Sequence, residues 1–257
     1  MKKFVIGMVA ALALGTAANA ADLPARTYTK APAPAPVWSW TGFYLGAGGG
    51  YGLFDGESRS TTGGFPIGGE VHSGGRGYFG TVSGGYDWQL NSRWVVGLFA
   101  DAQFGDIKGT VTGAAIYSAE TKNDLNYAAG VRAGYLVAPN VLSYVNGGYS
   151  HGQFKGSGAF ITSAGVPVPP LATEKSQRDG WFVGGGFENN LDIFGIAAPG
   201  WFLKTEYRVA QYDRKDIQVL AGGIPIGVGI SFNPYVQTIS TQLVYRFNWG
   251  TPVVAKY

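Results

Sequence analysis

Apolar side chains alternate with small or polar ones over much of the chain from Trp40 onward. In the stretch 122–137, for example, Leu125, Tyr127 and the following odd-numbered positions are apolar, whereas Asn126 and Arg132 lie between them. A period of two predicts β-strands. Segments of about 11 to 15 residues with this pattern cover 41–52, 76–90, 93–106, 122–137, 141–154, 178–190, 200–213 and 234–248.

The connections between these eight segments alternate in length. Those after the second, fourth and sixth segments are short, with Asn91-Ser92 and Pro139-Asn140 as turn formers, and the other four are long and rich in Gly, Ser and Thr. Short turns at one end and long loops at the other are typical of an outer-membrane barrel. About 12 residues rising ~3.3 Å each at a tilt of ~40° climb roughly 30 Å, which crosses the membrane. A soluble β-sandwich, the alternative fold, does not explain the loop asymmetry.

Tryptophan residues cluster at one end of the predicted strands. Trp40, Trp88, Trp94, Trp201 and Trp249 all fall beside short turns or at the ends of the strand region, and Trp181 begins a strand at the opposite end. Amphipathic rings are favoured at membrane–water interfaces. The five are therefore predicted to form a periplasmic girdle.

The amino terminus has the pattern of an export signal. Lys2 and Lys3 precede an apolar run too short for a transmembrane helix, and Ala18-Asn19-Ala20 supplies small residues for cleavage between Ala20 and Ala21. Alternating Ala and Pro after the signal favour extended chain that cannot join a sheet. The expected organisation is a signal peptide (1–20), a Pro-rich periplasmic linker (21–39), a barrel (40–249) and a carboxyl-terminal extension (250–257).

The amino-acid composition limits the partners and the kinds of site that the chain is expected to have. Of 257 residues, 42 are Gly and only 14% are charged, against about 25% in an ordinary soluble domain. The 19 basic and 16 acidic residues give no strong basic footprint, so nucleic acid is not an expected partner. The absence of Cys excludes disulfides and thiolate metal sites.

Charged side chains recur on the faces of the strands that are not apolar. Lys204, Glu206 and Arg208 follow one another at period two, so they line one wall. Small barrels are filled by their own side chains, and buried charges must be paired. We therefore expect a structural ion network of four cations and three anions that closes the lumen, with a narrow gated pore as the functional alternative; its members are Asp101, Arg132, Glu188, Lys204, Glu206, Arg208 and Arg246.

Catalytic and cofactor chemistry finds little support. Gly148-Tyr149-Ser150-His151-Gly152 matches a nucleophile motif, but no helix follows, and Ser150 and His151 point to opposite faces of a strand. We expect no catalytic residues, no metal site and no cofactor, and hence no enzyme. His72, in the first long connection, is the one candidate haem ligand.

Two motifs resemble a known family. The first motif follows the Pro-rich segment and reads Trp38-Ser39-Trp40-Thr41-Gly42-Phe43-Tyr44-Leu45-Gly46. The second motif lies near the end of the chain and reads Leu243-Val244-Tyr245-Arg246-Phe247-Asn248-Trp249. The family that they resemble is that of the alphaproteobacterial outer-membrane immunogenic proteins. The resemblance implies an eight-stranded barrel of the porin family, related to haemin-binding surface proteins. It also implies that Leu243, Tyr245 and Phe247 carry the signal read by the barrel-assembly machinery, with either Phe247 or Tyr257 as the terminal aromatic residue.

The predicted protein is thus an all-β, eight-stranded antiparallel transmembrane β-barrel in the outer membrane of a Gram-negative cell. Its expected surroundings are outer-membrane lipid and lipopolysaccharide, with the barrel-assembly machinery as a partner and cell wall or haemin as further candidates. The expected role is structural, with surface-exposed, antigenic loops and a contribution to membrane integrity. A small-solute porin and a haemin-binding surface receptor are the alternative functions.

Overall fold

The computed structural model describes residues 39–113, 117–161 and 171–247. The predicted signal peptide with Ala20 and Ala21, nearly all of the Pro-rich linker, Trp249 and the extension 250–257 lie outside the described residues. In the described ranges no helix has the length and apolar character to cross a membrane.

Ten strands form one antiparallel sheet. They are β1 (Gly42–Thr62), β2 (Phe65–Gln89), β3 (Trp94–Gly113), β4 (Tyr117–Ala138), β5 (Val141–Ile161), β6 (Leu171–Thr173), β7 (Ser176–Asn190), β8 (Trp201–Tyr212), β9 (Lys215–Ala221) and β10 (Ile224–Arg246). A short 3-10 helix, Leu191–Phe194, connects β7 to β8.

The sheet closes because β1 pairs with both β2 and β10. Near the short-turn end, β5 pairs with β7, β7 with β8, and β8 with β10. Near the other end, β5 pairs with β6, β6 with β9, and β9 with β10. Strand β6 therefore continues the position of β7, and β9 that of β8, across breaks at residues 174–175 and 213–214. The barrel has eight positions around its circumference, and the predicted eight-stranded barrel is confirmed.

The predicted long loops are in large part strands, so their expected extent was wrong. Only Gly63-Gly64 separates β1 from β2, and only Gly222-Gly223 separates β9 from β10. Both glycines of each pair have positive φ, 58° and 84° in the first and 56° and 85° in the second. Two consecutive positive φ angles make the two-residue turn that matches the twist of a hairpin. The Gly, Ser and Thr residues on either side extend the strands as long outer hairpins.

Short turns close the opposite end as predicted for the first two connections. The side chain of Asn91 accepts hydrogen bonds from the backbone N–H groups of Arg93 and Trp94, each at 2.9 Å, and Pro139-Asn140 joins β4 to β5. The third connection is longer than expected because it contains the 3-10 helix, whose first turn is capped by the Asn190 side chain.

The tryptophan girdle is only partly as predicted. Trp88, Trp94 and Trp201 are exposed on the outward face, but Trp40 is buried inside the barrel. Its backbone N–H donates to the side chain of Gln89 at 2.9 Å, which carries the ring across the barrel mouth before β1 begins. The assignment of Trp40 to the girdle was therefore wrong.

Candidate functional site: the barrel interior

Inward side chains are stacked in layers between two apolar plugs. The short-turn end is filled by five apolar side chains, none of them more than 1% exposed: Trp40, Val95, Leu142, Phe202 and Val244. A second apolar layer fills the barrel towards the outer hairpins, with the members Phe54, Phe79, Ile107, Phe154 and Phe232. Polar and charged side chains occupy the space between the plugs.

The lower ion cluster joins two arginines to two carboxylates. Arg132 donates from Nε to Asp87 Oδ1 at 2.8 Å and from Nη1 to Glu188 Oε2 at 3.0 Å. Arg246 donates from Nε to Glu188 Oε1 at 2.8 Å, and its Nη2 lies 2.8 Å from Asp87 Oδ2. Each arginine thus bridges both carboxylates. The Tyr44 ring lies beside both guanidinium groups, 4.4 Å from that of Arg132 and 5.1 Å from that of Arg246.

The upper ion cluster is centred on Arg208. Its guanidinium donates to both carboxylate oxygens of Asp101, at 3.1 and 2.7 Å, and to Glu206 Oε1 at 2.8 Å. Lys204 Nζ lies 3.4 Å from Glu206 Oε2. That second Glu206 oxygen also accepts hydrogen bonds from Tyr144 and Asn146, at 2.8 and 2.9 Å. Glu206 is fully engaged by its neighbours.

All seven charged residues predicted to face the lumen lie inside the barrel, and an eighth, Asp87, was missed. Asp87 is completely buried and balances the network at four cations and four anions, in place of the expected four and three. The signal was present in the sequence, because Tyr86 and Trp88 are apolar neighbours in a predicted strand and place Asp87 on the opposite face.

Arg178 is a buried cation outside this network. Its guanidinium donates to the backbone carbonyls of Phe232 at 2.6 Å, Asp213 at 2.9 Å and Lys215 at 3.5 Å. These contacts surround the break between β8 and β9. Carbonyl oxygens in place of a carboxylate hold this charge at the outer end of the interior.

Glycines on the inward face make room for the large side chains. A Cβ on Gly97 would lie 2.1 Å from the Asp87 carboxylate, and one on Gly109 would lie 2.1 Å from the Phe54 ring. Small residues opposite large ones let a narrow barrel fill without voids. The high glycine content is therefore part of the packing of the interior.

A polar layer separates the ion clusters from the outer plug. Ser150 and Tyr212 are hydrogen-bonded through their hydroxyl groups at 2.9 Å. They line a cavity of about 10 Å³, which has room for roughly one water molecule. Among the described residues, buried side chains therefore occupy the short-turn end, the two ion clusters, this polar layer and the outer plug.

Ser150 and His151 lie on opposite sides of the barrel wall. Ser150 is buried inside, whereas the His151 ring is on the outer surface, where its Nδ1 lies 2.9 Å from Asp179 Oδ1. Asp179 Oδ1 also accepts a hydrogen bond from the Tyr149 hydroxyl. A serine–histidine pair does not form.

His72 lies on strand β2, exposed and paired in register with Glu57, and not in a loop as its position in a predicted connection implied. It borders a shallow depression with Asp55 and Tyr235. In the described ranges no group of three potential metal ligands occurs.

The residues of the predicted assembly signal lie on the outward face at the end of the barrel. Leu243 and Tyr245 are on β10, and Phe247 follows it, with its backbone N–H donating to the Phe43 carbonyl at 3.1 Å. The Tyr245 ring contacts those of Trp201 and Phe247, with centroids 5.1 and 5.2 Å apart. They form one exposed apolar surface beside the seam between β1 and β10.

A closed antiparallel barrel with an apolar outer face and a charged interior defines a transmembrane β-barrel of the outer-membrane class. The family described as "Outer membrane protein beta-barrel domain" matches residues 8–247, and the chain belongs to it. The protein is therefore an outer-membrane β-barrel protein of a Gram-negative cell.

Relatives with known names agree with this assignment. The chain is 28% identical over 231 residues to the 31 kDa outer-membrane immunogenic protein of Brucella melitensis, covering 84% of this chain and 90% of that protein. It is 27% identical over 208 residues to the 22 kDa outer membrane protein of Rhizobium leguminosarum bv. viciae, covering 76% and 79%. The resemblance to alphaproteobacterial outer-membrane immunogenic proteins is confirmed.

Solved structures with a similar arrangement include OprG of Pseudomonas aeruginosa, with a TM-score of 0.47, 11% identity and coverage of 80% of this chain and 97% of that one. Neisserial surface protein A is another, with a TM-score of 0.38, 13% identity and coverage of 82% and 99%.

Proposed function

We propose that this protein is a closed, non-conducting barrel with a structural role in the outer membrane, and not a porin or an enzyme. The observation that carries the proposal is the buried network of four cations and four anions enclosed between two apolar plugs. Each charge in it has a partner of opposite sign within 3.4 Å.

A steady pore would require these contacts to open. Removing one partner of a buried ion pair typically costs about 3–5 kcal/mol, because the other charge is left uncompensated. The plugs add a second barrier, since Trp40 and Phe202 at one end and Phe232 at the other leave little room for water. The interior is built to stabilise the barrel and hold its shape.

The outer hairpins supply the surface that other molecules meet. Strands β1 and β2 continue well beyond Tyr51 and Tyr78 and carry exposed charges such as Asp55, Glu57 and Glu70. Long outer segments of this kind lie outside the cell. We assign the antigenic and contact role to these hairpins, and the contribution to membrane integrity to the barrel wall.

The assembly machinery is the protein partner that the terminal strand supports. Leu243, Tyr245 and Phe247 present one continuous apolar surface at the end of the barrel, where a recognition signal is accessible before closure. We assign to the Pro-rich linker the role of a periplasmic spacer or of a contact with the cell wall. A haemin receptor has only the single exposed His72 to support it.

Conductance in a planar bilayer tests the proposal. Purified protein, judged folded by its shifted gel mobility without boiling, should give no steady channels. Large and stable conductance would contradict the closed lumen and favour the porin alternative.

A haem titration of wild type and His72→Ala should show no spectral change that depends on His72, and a Soret shift lost in the variant would favour the receptor alternative.

A further inference from the structure

Four cations form a row on the outward face of four neighbouring strands. Arg76 on β2 pairs in register with Lys108 on β3, Lys108 with Lys122 on β4, and Lys122 with Lys155 on β5. Neighbouring strands are about 4.8 Å apart, so the cationic row is roughly 15 Å long. It ends at β1, where Leu53 lies opposite Arg76.

Two carboxylates lie within the cationic row. Asp106 is 3.2 Å from Lys108 and 2.7 Å from Lys122, and Asp124 pairs with Lys155. Four cations and two anions leave a net charge of +2, and the pairs hold the lysine side chains along the wall.

The height of the cationic row follows from the aromatic residues beneath it. Exposed rings nearer the membrane centre on the same four strands are Tyr78, Phe104, Tyr127 and Tyr149. The separation grows from two residues between Arg76 and Tyr78 to six between Lys155 and Tyr149. In a tilted barrel those four extra residues correspond to a rise of about 10 Å. The row therefore climbs from the edge of the hydrocarbon through the headgroup layer, which is about 5–8 Å thick on each side.

We propose that the cationic row binds the phosphorylated headgroup of a lipid of the outer leaflet, the bisphosphorylated glucosamine of lipopolysaccharide. Lys and Arg bind phosphate through charge-assisted hydrogen bonds, and cations near an anionic membrane surface add to one another. Only an anionic headgroup presents several phosphates at this depth. The inference rests on the outer-membrane location and is independent of whether the lumen conducts.

Binding of bisphosphorylated lipid A to the folded full-length protein in detergent, counted as adducts by native mass spectrometry, tests the proposal. The variant Arg76→Gln/Lys108→Gln/Lys155→Gln should bind about tenfold or more weakly than wild type. A matched control is Arg59→Gln/Arg214→Gln/Lys215→Gln, which removes the same charge from outer hairpins away from the row. It should bind as wild type does. Equal loss in both triple variants, or in neither, would overturn the proposal.

A change in the opposite direction supplies a second test that does not depend on the triple variant folding. Asp106→Asn/Asp124→Asn raises the net charge of the row from +2 to +4 and should tighten binding several-fold. Unchanged or weaker binding would contradict the proposal. Dephosphorylated lipid A should bind poorly to wild type, and displacement of lipid A by millimolar inorganic phosphate would show a simple anion site and overturn the assignment to lipid.

Discussion

Asp87 shows at the scale of one residue how the interior is held together. Its carboxylate lies between Arg132 and Arg246. Gly97 is its partner on the neighbouring strand, and a Cβ on Gly97 would collide with the Asp87 carboxylate. A buried carboxylate in such a position stabilises the fold only while both guanidinium groups remain in place. The arginines, in turn, depend on it.

Replacement of Asp87 by Asn should destabilise the barrel by about 3–5 kcal/mol, because Arg132 and Arg246 keep their charges and lose a shared partner. Urea unfolding in detergent, followed by tryptophan fluorescence, measures the change. Asp55→Asn, on the exposed outer part of β1, should have little effect. Equal stability of the two variants would mean that the lower cluster does not support the fold.

Replacement of Gly97 by Ala should cost about 1–3 kcal/mol, since the new methyl group must push the Asp87 carboxylate away from its arginines. Gly80→Ala is the matched control, because a Cβ there would meet nothing closer than 3.8 Å. The loss at Gly97 should shrink in an Asp87→Ala background to the part caused by the Tyr86 carbonyl oxygen, which lies 2.9 Å from the new Cβ. An undiminished loss there would point to the backbone alone as the cause.

At the scale of the element, β10 is the strand that closes the barrel. Over 23 residues it pairs with β1 on one side, and on the other side first with β9 and then with β8. The glycine turn before it joins β9 to β10, and the pairing of these two strands shifts register between Pro225 and Gly229. Its last residues combine backbone pairing with the exposed apolar surface of Leu243 and Tyr245.

Truncation of the chain before Leu243 should prevent stable insertion, because β1 and β8 lose their partners at the membrane level and open edges in lipid leave backbone groups unsatisfied. Outer-membrane fractionation and gel mobility with and without boiling report the result. Deletion of residues 250–257 alone should leave insertion intact. If only that shorter deletion abolished insertion, the signal would belong to Tyr257 and not to Phe247.

At the scale of the whole molecule, the balance of charge decides whether the barrel has a lumen. The four cations and four anions of the network neutralise one another within two clusters, and apolar plugs lie at both ends. Arg178 then holds the junction of β8 and β9 above them through backbone carbonyls. The outer hairpins therefore extend from a barrel whose interior is occupied by these buried side chains.

Replacement of Glu206 by Gln should make the barrel less heat-resistant and more conductive, with a preference for anions. The variant leaves four cations facing three anions in the whole network, and Lys204 and Arg208 then share Asp101 as the remaining anion of their cluster. Water and anions therefore enter to solvate the excess charge. Planar-bilayer recordings and the temperature of gel-mobility conversion measure both effects. Glu57→Gln on the outer hairpin should change neither. Steady wild-type conductance that Glu206→Gln leaves unaltered would contradict the closed lumen.

Local pattern was enough to predict the class of fold, the eight-stranded barrel and the seven charged residues that line its interior. A period of two fixes which face each side chain takes, and that rule holds for Lys204, Glu206 and Arg208 as it does for Leu243 and Tyr245. Composition misled at the outer ends, because Gly, Ser and Thr are common in loops and also in the strands of long hairpins. The paired glycines at 63–64 and 222–223 were the signal that marked the true turns.

Only the tertiary structure decided which charges meet, because partners such as Arg208 and Asp101 are 107 positions apart and join only when the sheet closes. Closure also placed Trp40 inside the barrel, where Arg246 lies 4.4 Å above its ring, although its sequence position suggested the membrane interface. The register between β2 and β5 likewise aligned Arg76, Lys108, Lys122 and Lys155 into one row. Sequence determines the face on which each residue lies, and the register of the closed sheet determines its neighbours there.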